Sequence, residues 1–217
     1  APSCGVHHDL QTLHIRLAAE DLAALRASLQ QQSAAQQVEF RLQDLLLAMT
    51  LSELGGLVPV DDIPLLVENH GRQGPLDLSR QIAWLTRARL LNLSASLFAG
   101  PDALWHAHQA LQSDALSQPD VFACLAAEAA MPKVLPALVS FNYLGEFANS
   151  QHGDDLFNLT GRVFDQAMAS TSPVDVPLQM EFYVVDFALE IQVAWSAGMF
   201  DSDAMRACWE RVRRKLT

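Results

Sequence analysis

Apolar and polar residues alternate from Leu10 to Leu17. Leu13, Ile15 and Leu17 fall on one side and Thr12, His14 and Arg16 on the other, the period of a half-buried strand. At Ala18 the period lengthens. Leu22, Leu25 and Leu29 recur at helical spacing, with Glu20 and Asp21 in a first turn whose dipole favours acids. The polar Gln/Ser/Ala tract 30–37 is expected to end that helix and lead into a loop. A second helix is predicted over 42–54 on Leu42, Leu45, Leu46, Met49 and Leu54, closed by Gly55-Gly56. The apolar run Ile63-Pro64-Leu65-Leu66 then leads into Val67-Glu68-Asn69-His70-Gly71-Arg72-Gln73, and reads as a buried strand bringing polar residues to its C-terminal edge.

Gly71, Gly74 and Pro75 break the chain, and 77–86 reads as a structured loop or short element. Leu90, Leu91, Leu93 and Leu97 form an apolar stretch without a readable period. Pro101-Asp102 opens a helix expected to reach about residue 115, and a further helix is predicted over 121–130, stopped by Pro132. Residues 134–139 lead into Ser140 to Phe147, and the polar stretch 148–159 reads as a loop. Strands follow over 161–168, 178–186 and 188–195, the last with Leu189, Ile191, Val193 and Trp195 on one face. Asp201 or Ser202 caps a final amphipathic helix through Leu216, with Met205, Trp209 and Val212 inward. The order β-α-α-β-α-α-β-β-β-β-α has no repeat or linker. It predicts one α+β domain over 1–217, a mixed sheet with helices mainly on one face.

Composition changes this picture in three ways. Half of the 217 residues are hydrophobic, ample for a sizeable core, yet only 18% are charged, which implies that part of the surface is covered by another body. The net charge of −11 argues against nucleic acid as a partner. The bases that do cluster, Arg206, Arg211, Arg213, Arg214 and Lys215, suit the last turns of a helix. Cys4, Cys124 and Cys208 are too far apart for a zinc site and odd in number for a disulfide framework. Ala1-Pro2-Ser3-Cys4-Gly5 is not a secretory leader and no apolar run is long enough to span a membrane, so a cytoplasmic protein is expected. A start without Met fits a processed chain or a piece of a longer one.

The candidate chemistry is concentrated at two strand ends. Glu68, His70 and Arg72 put a carboxylate, an imidazole and a guanidinium within five residues, which suits a salt-bridged strand end as well as a reactive cluster. Asn142 and Tyr143 bring an amide and a phenol next to Gly145, either as structural hydrogen-bonders or as the lining of a site. No Gly-rich phosphate loop, GxSxG or HExxH occurs. His7-His8 is followed at once by Asp9, so the acyltransferase-type pattern of two His, three residues and Asp-Gly is not met.

Four segments, in order, resemble the C-terminal half of an epimerization domain of a nonribosomal peptide synthetase. Gln43-Asp44-Leu45-Leu46-Leu47-Ala48 is similar to the family's Asp-x-Leu-Leu-x-Ala helix. Glu68-Asn69-His70-Gly71-Arg72-Gln73 resembles Glu-Gly-His-Gly-Arg-Glu, departing at Asn69 and Gln73. Asp77-Leu78-Ser79-Arg80 through Trp84-Leu85-Thr86 is similar to Asp-Leu-Ser-Arg-Thr-Val-Gly-Trp-Phe-Thr. Phe141 to Phe147 resembles Phe-Asn-Tyr-Leu-Gly-Gln-Phe, with Glu146 for Gln.

The resemblance implies a single chloramphenicol-acetyltransferase-like lobe, whose N-terminal counterpart with the His-His motif is outside this chain. It implies an epimerase that converts the L to the D form of a thioester on the 4′-phosphopantetheine of a peptidyl carrier protein, binds no cofactor or metal directly, and needs the other lobe for activity. It further implies that Glu68 and Tyr143 are catalytic, and that His70, Arg72, Asn142 and Trp84 bind or position substrate. A non-catalytic carrier-binding or lobe-pairing module, and half of a condensation-type acyltransferase, are the alternative expectations.

Overall fold

The computed structural model describes residues 6, 9–58, 60–69, 77, 80, 85–113, 137–147 and 171–217. Six strands form one mixed sheet: β1 (Leu10–Leu17), β2 (Asp62–Asn69), β3 (Arg87–Ser94), β4 (Val139–Phe147), β5 (Leu178–Val185) and β6 (Ala188–Ser196). Their order across the sheet is β1-β6-β5-β4-β2-β3. β4 runs parallel to both β2 and β5, and the remaining pairings are antiparallel. The described helices are α1 (Ala19–Gln36), α2 (Leu42–Leu54), α3 (Ala103–Gln112) and α4 (Ser202–Leu216), with a short 3-10 turn over Ala95–Phe98.

Alternation fixes which face these helices cover. Leu65, Val67, Val139, Phe141, Met180, Phe182, Ile191, Val193 and Trp195 project to one side of the sheet and are buried there. Leu22, Leu25 and Leu29 of α1, the apolar side of α2, Leu104 and Ala107 of α3, and Met205, Trp209 and Val212 of α4 join them in a single core. An aromatic line crosses the layers. The ring centroids of Phe141 and Phe182 lie 5.1 Å apart, and those of Phe182 and Trp209 6.4 Å. Each such ring contributes about 2–3 kcal/mol by leaving water. On the far side of the sheet, Leu66, Ala88, Ala137 and Val176 form a separate, small apolar group. The α+β class and the one-sided helix layer expected from the sequence are thus observed among the described residues.

Several elements differ in detail from expectation. The tract 30–37 is mostly helix, since Ala and Gln are good helix formers, and α1 ends only where Gln37 turns left-handed at φ 55° and donates its N–H to the Ser33 carbonyl. Gly55 closes α2 with φ −55°, so it supplies no left-handed turn there. Its need is space, because a Cβ at Gly55 would stand 3.2 Å from the Ala95 Cβ. The untyped leucine stretch is strand β3, paired antiparallel with β2. Its period is masked by Arg89, a buried cation that occupies a core-facing position and donates to the carbonyls of Ser113 (2.9 Å) and Leu111 (3.2 Å) at the end of α3. Those are carbonyls that a helix leaves unpaired, at the negative end of its dipole. The predicted helix 121–130, the strand 161–168 and the loop 148–159 lie outside the described residues.

Asp44 also has a structural place. Its carboxylate is fully buried and accepts from the Arg41 N–H at 2.8 Å, capping α2, and from His108 Nδ1 at 2.9 Å on α3. At the sheet's end, β5 and β6 are joined by Asp186 and Phe187, both with positive φ, and the Phe187 ring is 75% exposed.

Candidate active site

Residues opposed across paired strands share a face of the sheet, while chain neighbours point to opposite faces. The register therefore assembles one transverse row through all six strands: Ala88 on β3, Glu68 on β2, Asn142 on β4, Glu181 on β5, Gln192 on β6 and His14 on β1. The row lies on the far face, away from the helices. Glu68 stands one residue before the end of β2, at the carboxyl end shared by the parallel pair β2 and β4, where ligands are met in open sheets. A strand spacing of about 4.8 Å places the Asn142 Cα beside that of Glu68 and the Glu181 Cα about 10 Å from it.

Glu68 is half-buried. Loss of solvation raises its pKa above the usual carboxyl range, and the charge of Glu181 adds to the effect. Glu181 is raised in the same direction by its own desolvation. A carboxyl with raised proton affinity, next to an amide that can donate, suits proton transfer to and from a carbon acid.

The far face continues as polar surface toward β1. Gln192 donates from Nε2 to the Tyr183 hydroxyl at 2.8 Å. Glu190 is buried, yet its two carboxylate oxygens accept from His14 Nε2 at 2.7 Å and from Arg16. These contacts pin the edge strand β1 to β6, and nothing in the sequence pattern of either strand announces them.

Tyr143 is placed elsewhere. As the chain neighbour of Asn142, opposed to Phe182, it faces the helix side and packs against the main core. Burial, aided by the charge of Glu146 and opposed by Arg26, pushes its hydroxyl up to about 12. Glu146 itself pairs with Arg26 of α1 at 2.7 Å. The strand is then interrupted by a bulge between Tyr143 and Gly145, where Gly145 adopts φ 98°, a conformation that side chains rarely take. The structure thus brings Glu68 and Asn142 together and places Tyr143 on the other side of the sheet from them. Strand alternation is the reason, and it was available in the sequence. His70, Arg72 and Trp84 lie outside the described residues. Among the described residues no group of His, Cys, Asp and Glu side chains could hold a metal ion, and no helix is long and apolar enough to cross a membrane.

The fold has solved counterparts. The chain matches the epimerization domain from the third module of tyrocidine synthetase B with a TM-score of 0.75 at 18% identity, over 100% of its own length and 49% of that chain. It matches the EpoB cyclization-docking bidomain of Sorangium cellulosum with a TM-score of 0.64 at 12% identity, over 95% of its own length and 40% of that chain. A chain of the complex of the X-domain and OxyB from teicoplanin biosynthesis matches with a TM-score of 0.62 at 15% identity, over 100% of its own length and 46% of that chain. No protein-family model matches the sequence, and no curated protein does. The chain has the fold of one lobe of the epimerization and condensation domains of nonribosomal peptide synthetases, and it spans about half the length of the solved chains it matches.

Proposed function

We propose that the chain is the half of a nonribosomal peptide epimerase that carries one of two proton-transfer groups, Glu68. The observation that supports this reading is the placement of Glu68: half-buried, at the carboxyl end of a central strand, in one row with Asn142, with its proton affinity raised. The substrate is an aminoacyl or peptidyl thioester held on the 4′-phosphopantetheine of a peptidyl carrier protein. Its α-proton passes to the Glu68 carboxylate as the C–H bond breaks, and the electron pair moves onto the thioester oxygen. The Asn142 amide is the donor at hand for that oxygen. A proton returned to the opposite face of the carbon inverts it, and the group that returns it belongs to the N-terminal lobe.

The test is Glu68→Gln in the complete two-lobe protein, followed by release of α-tritium and by the D/L ratio of the carrier-bound product. A loss of about 10²–10⁴-fold is expected, the usual contribution of a positioned acid or base. Undiminished epimerization would remove Glu68 from the mechanism.

A further inference from the structure

Glu68 does not stand alone in its row. Asn142 separates it from Glu181, which projects from the same face of β5. Among the described residues neither carboxylate has an ion-pair partner, in contrast to Glu190 on the same face, which holds His14 and Arg16. The described elements packed against Glu68 bring no counter-charge to this face. β3 offers Ala88 and Leu90 to this face, since Arg87 and Arg89 belong to the helix side. β4 offers Ser140 and Asn142, which carry no charge. β5 offers Gln179, Glu181 and the weakly acidic Tyr183. On β6 and β1 the charged groups are Glu190, His14 and Arg16, two and three strands beyond Asn142.

We propose that Glu181 is a positioning residue for Glu68, acting on it by charge across Asn142. The inference rests on the reading of Glu68 as the proton-transfer group. Two carboxylates in one row, on strands two apart and partly withdrawn from water, resist ionising together. One of the pair therefore keeps its proton to higher pH than an isolated glutamate would. The raised pKa of Glu68, to which Glu181 contributes after desolvation, agrees with this arrangement. The effect on the reaction is to widen the pH range over which Glu68 can give a proton as well as take one. Asn142, lying between the two, is held in register with both.

The experiment is a carboxyl-carbon NMR titration of the glutamate-labelled 217-residue chain in its parent form and as Glu181→Gln and Glu181→Asp. Glu181→Gln is expected to lower the Glu68 midpoint by about half to one pH unit, and Glu181→Asp to restore most of it. Should Glu181→Gln fail to fold, the parent curve decides. The Glu68 signal must titrate over a wider pH range than a single independent site, as weakly coupled carboxyls do. An unchanged midpoint in Glu181→Gln, or a parent curve with the width of a single independent site, overturns the proposal. Neither readout needs turnover, so an active Glu68→Gln protein would defeat the epimerase reading while the coupling stood. In the two-lobe enzyme, the limb of the pH–rate profile set by Glu68 is expected to move to lower pH by the same amount in Glu181→Gln.

Discussion

The two faces of the sheet are built from alternate residues of the same strands, yet they carry different duties. The helix side holds Phe141 against Phe182 and Phe182 against Trp209, and its polar groups are spent on architecture: Arg89 on the end of α3, Asp44 on the start of α2 and on His108. The far face holds Glu68, Asn142, Glu181 and Gln192 in a row whose carboxyls have no ion-pair partner among the described residues. A polar group that caps or pairs lowers the energy of the fold, whereas one left with raised proton affinity is available for chemistry. The difference assigns residues to roles more sharply than residue type does, since glutamate appears in both kinds of place.

The largest expected effect lies on the helix side. Trp209→Ala empties the junction with Phe182 and should cost about 3–5 kcal/mol in a urea or thermal unfolding measurement. Gln192→Ala, on the far face, should change stability by less than about 1 kcal/mol, and an equal loss for both would erase the distinction between faces. Next comes Arg89→Met, which keeps the bulk of the side chain but strips the Leu111 and Ser113 carbonyls of their donor. A loss of about 1–3 kcal/mol is expected, with hydrogen exchange rising first at the end of α3.

Glu53 provides a pH test of the same layer. Its hydrogen bond to Lys215 lowers its pKa most, burial opposes this, and Arg211 assists. The folded state therefore binds the Glu53 proton less readily than the unfolded chain does. Its contribution is present above the usual glutamate range and is lost as pH falls through the lowered folded value. The Tm gap between parent and Glu53→Gln should be seen at neutral pH and should close in acid. A gap that persists would show that the pairing is not what the substitution removes. The smallest effect is expected of Tyr143→Phe, which should alter epimerization by the two-lobe protein less than about threefold, because the phenol faces away from Glu68. A collapse of the rate would place Tyr143 in the site and break the division of faces at β4.

The sequence carried the framework further than the site. β1 and β6 have clean alternation, and α4 has both an N-cap at Asp201, whose carboxylate accepts from the Ala204 N–H at 2.8 Å, and an apolar stripe. β3 escaped because a buried arginine sits where a leucine would have completed its period. Glu68 could be picked out as a polar residue ending an apolar run. Asn142 could be picked out too, but neither its place beside Glu68 nor Glu181 could, since both reach Glu68 through parallel pairings of strands distant in the chain, and register is a property of the assembled sheet. Asn142 and Tyr143, adjacent on β4, point to opposite faces of the sheet.

The pairing of β1 with β6 has a consequence for how the molecule is made. Leu10 opposes Ser196 and Leu17 opposes Leu189, so the first described strand finds its only described sheet partner in the last. During synthesis β1 and α1 must wait, with Ile15 and Leu17 unsheltered, until nearly everything between has left the ribosome. Closing so large a loop late makes for slow, non-local folding and for an edge exposed in the interim. A nascent chain stopped before β6 should be caught by chaperones or proteases at β1.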